Sequence, residues 1–285
     1  MEQRVFGPGV KLYHYTSTEG FHGILSTRQI WATDSRYLND TEELVHGYRL
    51  AECVLRELWR DTAGSEKQER LEALTGEICK IRDRTHTLTV FVTCFSLADD
   101  LLSQWRAYCP VGGVALGFDR WQLMHSIEGQ PFELGPCVYD EGQQVQLLRR
   151  ELTEFVLSCL GVSDAFWNAG DYKTSFLNGL HVTLGRVVPL LKHAAFQEER
   201  EWRLFASVET VNFGGGLNYQ YRTRRGLVVP YAPIALDPIA WHGSEIVVGP
   251  GQNMELVAHS AVRMTEAQFS IWPRVRKSHI PYRGV

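Results

Sequence analysis

The sequence predicts an α+β protein in which one mixed or antiparallel sheet is interrupted by inserted helices. Residues 87–95 (TLTVFVTCF) form an almost unbroken β-branched and aromatic run, typical of a central strand that is covered on both faces. Residues 44–58 instead carry apolar side chains at helical spacing. Strand-like and helix-like segments alternate along the chain with no internal repeat or linker between them. We therefore expect a single domain over residues 1–285.

The first part of the chain predicts a strand, a short helix, a second strand and two longer helices. Residues 11–15 (KLYHY) predict the first strand, Ser17 or Thr18 can cap a helix over 19–27, and residues 29–33 predict the returning strand. Asp40 or Thr41 can cap the next helix. Its apolar face consists of Leu44, Val45, Tyr48, Ala51, Val54, Leu55 and Leu58. With a second helix over 66–84, we interpret residues 42–84 as a helical insertion or lid on one side of the sheet.

The remaining elements follow from the same patterns. After the central strand, Asp99 or Asp100 can cap a short helix that ends at Tyr108. Further strands are expected over residues 112–118, 200–208, 227–229 and 246–248. Further helices are expected over residues 119–126, 142–160, 172–193 and 257–264.

Composition and charge exclude several classes of protein. The chain has 285 residues, 29 of them basic and 33 acidic, which gives a net charge of −4. A protein that binds nucleic acids in general needs a surplus of basic residues, so this function is not expected. The chain contains no apolar run of the roughly 18 residues that a membrane span needs, and residues 1–10 lack the pattern of a signal peptide. We expect a cytoplasmic protein without membrane contact.

The six cysteines are scattered and form neither a C-x-x-C motif nor a paired zinc spacing. Without a secretion signal, this distribution predicts buried, reduced thiols rather than disulfides. A metal site built from cysteine is not expected.

The first candidate cluster is His14-Tyr15-Thr16, at the end of the first predicted strand. An imidazole there can bind a ribose hydroxyl or act as an acid or base, and the alternative is a histidine bonded to a nearby backbone carbonyl. The second cluster is Asn39-Asp40 with Glu42 and Glu43. We interpret it as a helix cap with favourable charges in the first turn.

The third cluster follows the central strand. Ser96 is expected at the strand end, where a hydroxyl often faces a pocket. Trp105 and Tyr108 lie three residues apart on a predicted helix, so they share a face and can stack on a planar ring or form part of the core. Cys94 is a conceivable nucleophile, but no base lies beside it in the sequence.

The fourth cluster is the run of charged residues at 198–203 (EEREWR). On a strand, Glu199, Glu201 and Arg203 would all lie on one face because side chains alternate. They can form a catalytic carboxylate with its orienting partner. The alternative is a solvated edge strand that carries a surface ion pair.

Common nucleotide-binding, zinc-protease and hydrolase motifs are absent from the sequence. The glycines at 214–216 form only a turn. Residues 219–222 (YQYR), with Arg224 and Arg225, make a small aromatic and basic patch that can contact a phosphate. We interpret this patch as a solvated strand edge.

These clusters resemble, in their order along the chain, the bacterial domain-of-unknown-function family 2971 (DUF2971). The segments that carry the resemblance are Leu12-Tyr13-His14-Tyr15-Thr16-Ser17 with Ile24-Leu25, Leu38-Asn39-Asp40-x-Glu42, Cys94-Phe95-Ser96 with Trp105-x-x-Tyr108, Gly113-x-x-x-Gly117-Phe118, Phe196-x-x-Glu199-x-Glu201-Trp202-Arg203, Ile246-Val247-Val248-Gly249-Pro250 and Ile280-Pro281-Tyr282-Arg283. Thr41 stands where the family usually has proline, and Gln104 where it commonly has methionine.

The same segments are more distantly similar to the ADP-ribosyltransferase superfamily. That resemblance implies NAD as the substrate, with His14 orienting it as a catalytic and binding residue and Tyr15 and Thr16 nearby. It implies that Ser96 braces the site and that Trp105 or Tyr108 stacks on nicotinamide. Glu199 or Glu201 would stabilise the developing oxocarbenium ion and orient the nucleophile.

The first hypothesis is therefore an NAD-using transferase or glycohydrolase, acting as a toxin or phage-defence effector, with no metal. It requires His14, Ser96 and Glu199 or Glu201 to line one cleft, and it fails for an arrangement in which His14 and Glu201 lie on opposite faces of the sheet. The second is a nuclease-like or phosphate-handling enzyme in which Glu199, Glu201 and Asp40 hold a divalent metal. The third is a non-catalytic module that senses a nucleotide in the same pocket.

Overall fold

The computed structural model describes residues 9–38, 41–64, 67–83, 89–208, 216–224, 226–269 and 273–281. These parts of the chain contain ten strands: β1 Lys11–Ser17, β2 Gln29–Asp34, β3 Val90–Ser96, β4 Gly113–Asp119, β5 Glu133–Pro136, β6 Glu201–Ser207, β7 Gln220–Arg224, β8 Leu227–Ala235, β9 Glu245–Val248 and β10 Arg274–Lys277. The helices are α1 Thr18–Thr27, α2 Thr41–Ala63, α3 Gln68–Asp83, α4 Leu102–Tyr108, α5 Arg120–Ser126, α6 Glu141–Gly161, α7 Asp164–Trp167, α8 Gly170–Val187 and α9 Met254–Phe269.

All ten strands belong to one sheet, which confirms the predicted α+β class. The main path through the sheet is β10-β9-β4-β1-β3-β2-β8-β7, while β6 pairs with β3 and β5. The β9–β10 pair is parallel and the other strand pairs are antiparallel, so the sheet is mixed.

The central strand β3 has an unusual arrangement of neighbours. On one edge it pairs with β6 along its whole length, from Val90 to Ser96. Its start also pairs with β2, through Val92 opposite Thr33, and its end pairs with β1, through Ser96 opposite Tyr13. We call the region where β1 and β2 diverge beside β3 the fork. The fork creates an opening in the sheet.

Helices cover both faces of the sheet. Since residues that pair across strands point to the same face, one face carries Leu12, Phe95, Trp202 and the other carries Tyr13, Ser96. Apolar residues of the first face form a core that includes buried residues of α1, α5 and α9. On the second face, a core formed with α2, α3, α6 and α8 covers part of β3 and β6, while α4 packs on β1 and β4.

The predicted insertion at 42–84 consists of α2 and α3. Their buried apolar residues pack with those of α6 and α8, including the predicted positions Leu44, Tyr48 and Leu55. No described residue of either helix lines the cleft described below. The predicted cap Asp40 and its neighbour Asn39 lie outside the described residues, as do the side chains of Glu42 and Glu43.

Local hydrogen bonds explain where several helices begin. The Ser17 hydroxyl accepts from the Gly20 N–H at 3.2 Å and caps α1, as predicted. Asp119 caps α5 by accepting from the backbone of Trp121 and Gln122. The predicted cap of α4 is wrong: Leu101 precedes this helix and supplies no side-chain cap.

Asp99 and Asp100 have other partners. Asp100 accepts from Trp105 Nε1 at 2.7 Å and from Ser278 at 2.7 Å, while Asp99 forms an ion pair with Arg276. These aspartates thus link α4 and its leading loop to the end of the sheet. The predicted helix at 172–193 is also too long, since α8 ends at Val187 and a 3₁₀ turn containing Pro189 follows.

Among the described residues, no helix combines the length and the apolar character that crossing a membrane requires.

Candidate functional site

The main candidate site is a cleft of about 630 Å³ at the fork. Residues of β1, α1, β2, β3, α4 and β7 line it. Its lining includes His14, Thr16, Cys94, Tyr108, Arg222 and Arg224. The cleft thus lies where the sheet is open, and side chains from both faces of the sheet reach it.

His14 links the two strands of the fork. Its Nδ1 lies 3.0 Å from the carbonyl oxygen of Cys94. Because a carbonyl can only accept, Nδ1 carries the proton in this bond, and Nε2 is left as an acceptor. Burial lowers the pKa of His14 and outweighs the opposing influence of the Cys94 carbonyl, while the positive charge of Arg222 makes a smaller contribution in the same direction as burial. The ring is therefore neutral at pH 7, and the predicted backbone-bonded histidine is what the structure contains.

Tyr15 and Thr16 both line the cleft, as predicted for a binding role. The Tyr15 hydroxyl, however, donates to the carbonyl of Ala98 at 2.8 Å and accepts from the Leu101 N–H at 3.1 Å. Its ring packs edge-on against Trp105, with 4.6 Å between centroids. Tyr15 thus anchors the loop that leads into α4.

Trp105 and Tyr108 occupy different environments. Trp105 is fully buried, and its indole nitrogen is bonded to Asp100, so the core interpretation holds for it. Tyr108 lines the cleft and is 42 % exposed. Burial of its phenol group raises the pKa of Tyr108, and so do Cys94, Glu201 and Glu199 nearby. Only Tyr108 of this pair is available to stack on a ring.

The second half of the charged run at 198–203 is buried within the sheet, whereas Glu198 and Arg200 are exposed. Glu201 begins β6, which lies between β3 and β5, and it is 5 % exposed. The predicted solvated edge strand is therefore wrong. Glu199 is not on the strand either: it ends a 3₁₀ helix, and Arg200 follows with a φ of 43°. The expected alternation of Glu199 with Glu201 on one strand face does not occur.

Both glutamates nevertheless meet at a buried lysine. Lys192 Nζ lies 2.8 Å from a Glu199 carboxylate oxygen and also forms an ion pair with Glu201. Arg203 Nε donates to Glu201 at 2.7 Å, and its Nη1 donates to the carbonyl of Pro189 at 2.8 Å. We call Lys192, Glu199, Glu201 and Arg203 the ion-pair cluster. It contains two positive and two negative side chains.

The electrostatics keep this cluster ionised. Burial raises the pKa of Glu201, but Arg203 and Lys192 outweigh burial and lower this pKa to about 2. Burial likewise lowers the pKa of Lys192, but the two carboxylates more than compensate for it. Glu201 is thus a carboxylate over the whole physiological pH range.

Cys94 separates Glu201 from the cleft. Its side chain lines the cleft and interacts with the Glu201 carboxylate. Burial raises the pKa of the Cys94 thiol, and Glu201 raises it further. Cys94 is therefore a thiol rather than a thiolate, which argues against the nucleophile considered from the sequence.

Five of the predicted site residues do not line the cleft: Ser96, Trp105, Glu199, Glu201 and Arg203. The Ser96 hydroxyl donates to the Glu199 carbonyl at 2.6 Å and accepts from the Ala98 N–H at 2.9 Å, so it braces the turn. Strand register places Ser96 and Glu201 on one face of the sheet and His14 on the other. The structure brings His14, Thr16 and Tyr108 to one cleft and leaves the carboxylates behind Cys94. It does not meet the requirement that the transferase hypothesis set for His14, Ser96 and the two glutamates.

Two arginines on β7 line the opposite wall of the cleft. Arg222 Nη2 donates to Thr33 Oγ1 at 2.8 Å, and the guanidinium lies 5.2 Å from the Trp31 ring centre and 5.6 Å from that of Tyr231. Residues 220–224 of the patch do form an edge strand, as expected, but Arg222 points inward. Arg225 lies outside the described residues.

The described residues contain no group of three or more His, Cys, Asp or Glu side chains suited to a metal ion. Glu199 and Glu201 converge on Lys192 instead, and Asp40 lies outside the described part of the chain. None of the six cysteines forms a disulfide, and Cys53 is exposed, which corrects the expectation that the thiols are all buried.

Comparison with known proteins gives one family match. Residues 104–204 match the family described as protein of unknown function (DUF2971), which supports the resemblance found in the sequence. The matched segment contains Tyr108 and the whole ion-pair cluster, whereas His14 lies outside it. No curated protein and no solved structure matches the chain significantly.

Proposed function

We propose that the cleft at the fork binds NAD. Action as an ADP-ribosyltransferase or NAD glycohydrolase further requires Glu201, which lies on the other face of the sheet from His14, to reach the cleft past Cys94. The observation that carries the proposal is that a hydrogen-bond acceptor and an aromatic face line one cleft, with a carboxylate behind its wall. These features are the acceptor nitrogen of His14, the exposed ring of Tyr108, and the Glu201 carboxylate directly behind Cys94.

The walls of the cleft suit the parts of a dinucleotide. A neutral His14 that uses Nδ1 for the Cys94 carbonyl can accept a hydrogen bond from a ribose hydroxyl at Nε2. Tyr108 offers a partly exposed aromatic face, on which a planar ring such as nicotinamide can stack. The volume of about 630 Å³ lies within the usual range for small-molecule and cofactor sites.

The chemistry requires a negative charge near the reacting sugar. The bond between the ribose C1′ and the nicotinamide nitrogen breaks, and nicotinamide leaves with the bonding electrons as a neutral molecule. An oxygen of water or of an acceptor forms the new bond to C1′ and gives up its proton to the surrounding water. In this proposal, Glu201 stabilises the oxocarbenium ion. Cys94 and Tyr108, the cleft residues that interact with Glu201, have to rearrange for direct contact.

A second candidate function is a module that binds a nucleotide without turning it over. The position of Glu201 favours this second function, because the carboxylate is 5 % exposed and forms ion pairs with Lys192 and Arg203. A paired, buried carboxylate stabilises a nearby positive charge less than a free one does.

The test is nicotinamide release from NAD by the purified protein, in buffer and with cell lysate as a source of acceptors. We expect release by the wild type and a loss of at least about 100-fold in Glu201→Gln or Glu199→Gln, since one electrostatic group of this kind contributes that much. Glu198→Gln is the matched control, because Glu198 is exposed and lies in the same segment. It should keep the wild-type rate.

Binding measurements separate the two candidates. If NAD binds to the wild type and to Glu201→Gln with similar affinity but nicotinamide is never released, the binding module is correct. If NAD neither binds nor is consumed under any of these conditions, the proposed function is wrong.

A further inference from the structure

The wall of the cleft formed by β7 carries a positive charge that none of the proposed chemistry uses. Arg222 is half-buried, and its Nε is buried without a hydrogen-bond partner among the described residues. Arg224, two residues further along β7, lines the same cleft. Because side chains two residues apart on a strand share a face, the two guanidinium groups project together.

The surroundings of Arg222 hold its guanidinium in place without neutralising it. Thr33 accepts one hydrogen bond, and the aromatic rings of Trp31 and Tyr231 pack against the guanidinium. No carboxylate forms an ion pair with Arg222 or Arg224 within the described ranges. Glu19 is the acidic residue among those that line the cleft, and it lies in the first turn of α1.

Arg222, Arg224 and His14 line the same cleft. The positive charge of Arg222 contributes to the lowered pKa of His14, so the two side chains are close enough to interact across the cleft. Burial and the neighbouring Arg224 also lower the pKa of Arg222 itself, although an arginine stays protonated in water-accessible sites. A half-buried guanidinium that is held in position and has no carboxylate partner among the described residues can bind phosphate oxygens through two parallel hydrogen bonds.

We propose that Arg222, assisted by Arg224, binds the phosphate groups of the ligand, so that the cleft selects nucleoside diphosphates and dinucleotides over nucleosides. This inference rests on the proposed function, since it assigns the phosphate-binding part of the same site. It places the phosphates at the β7 wall and the ribose next to His14.

The test compares adenosine, ADP and inorganic pyrophosphate by titration calorimetry at low and physiological salt. We expect ADP to bind at least about tenfold more tightly than adenosine, because hydrogen bonds to charged groups are the strong ones. Arg222→Gln should remove most of that difference and leave adenosine binding unchanged. Arg222→Lys keeps the charge but not the planar group. Its preference for ADP over adenosine should lie between those of the wild type and of Arg222→Gln.

The matched control is Arg274→Gln, which removes the same charge from β10 at the opposite end of the sheet. If Arg222→Gln is poorly folded by circular dichroism, Arg224→Gln takes its place. Equal affinities for ADP and adenosine, an absence of binding by ADP and pyrophosphate, or equal effects of the Arg222 and Arg274 variants would overturn the inference. Phosphate-dependent ADP binding without NAD turnover would reject the proposed transferase but support this site.

Discussion

At the scale of single residues, Glu201 shows how a buried charge is tolerated. Its two carboxylate oxygens meet the guanidinium of Arg203 and the ammonium of Lys192, and its backbone N–H donates to the hydroxyl of Tyr139 at 2.7 Å. Removing one partner from such a group leaves the others as uncompensated buried charges, which costs about 3 to 5 kcal/mol. The side chain is therefore a determinant of stability as well as a candidate for chemistry.

This leads to a prediction about acid stability. Because Glu201 has a pKa of about 2 in the folded protein and an ordinary value near 4.5 when unfolded, its ionised form stabilises the fold above pH 4.5. This contribution is lost as the pH falls from 4.5 towards 2. In urea titrations, the difference in unfolding free energy between wild type and Glu201→Gln should shrink by about 2 kcal/mol between pH 5 and pH 3.

Glu128→Gln serves as the control for that measurement, since Glu128 is exposed. Its difference from the wild type should stay small and nearly constant over the same range. A difference for Glu201→Gln that does not change with pH would contradict the assignment of a low pKa to Glu201.

Single residues also differ in how far the sequence predicts them. The first strand with His14 at its end follows from its aromatic pattern, and so does the possibility of a backbone hydrogen bond for this histidine. Lys192 carries no local signal, because an isolated lysine between two elements usually lies on the surface. Its burial depends on two glutamates that only the fold brings to it.

At the scale of elements, the corner between β1 and α1 is packed without spare room. A Cβ at Gly20 would lie 2.1 Å from Thr16 Oγ1, whereas a Cβ at Gly23, one turn later, would meet nothing within 4 Å. Since Thr16 lines the cleft, the position of α1 on β1 helps to define the wall of the site.

These two glycines provide a matched pair of substitutions in one helix. Gly23→Ala should stabilise the protein by up to about 1 kcal/mol, because alanine is the better helix former. Gly20→Ala should give no such gain and should be less stable than Gly23→Ala, since its methyl group displaces Thr16 or the helix. Thermal and urea unfolding of both variants check this, and equal stabilisation by the two would show that the corner is loose.

Elements with a strong local pattern were the ones that the sequence could predict. The run at 87–95 places β3 within the sheet, and α6 lies within one residue of its expected bounds. Strand β5 (ELGP) and strand β10 (RVRK) lack that pattern, because a glycine and a proline or three basic residues disfavour a strand locally. Pairing with β6 and with β9 determines them instead.

At the scale of the whole molecule, one sheet separates cores on its two faces, and both contribute to its stability. The order of strands around the fork could not be derived from the sequence, since it depends on contacts between β3, β1, β2 and β6 that are distant along the chain. For the same reason, the separation of His14 from the carboxylates by the sheet was not predictable from spacing.

The rate at which the buried cysteines react with a thiol reagent measures how often the whole protein unfolds. Cys53 is exposed on α2, whereas Cys109 and Cys159 are buried, and burial raises the pKa of each of these two thiols to about 12. With a thiol reagent at neutral pH, one cysteine should react rapidly in the native protein, and the buried ones only when the protein unfolds.

Cys53→Ser should abolish the fast reaction, and Cys159→Ser should leave it intact. Persistence of the fast reaction in Cys53→Ser would mean that another thiol is accessible in the native protein.

The fork has a further consequence for the choice of side chain at position 14. At this opening the sheet lacks a continuous ladder, and a side chain closes the gap by donating to the carbonyl of Cys94. The same side chain also lines the cleft, where its second nitrogen is an acceptor. An imidazole is rigid and two-ended, with a donor on one side of the ring and an acceptor on the other. The side chain at position 14 therefore has to donate one hydrogen bond to the sheet and accept another from a ligand, and an imidazole ring can do both.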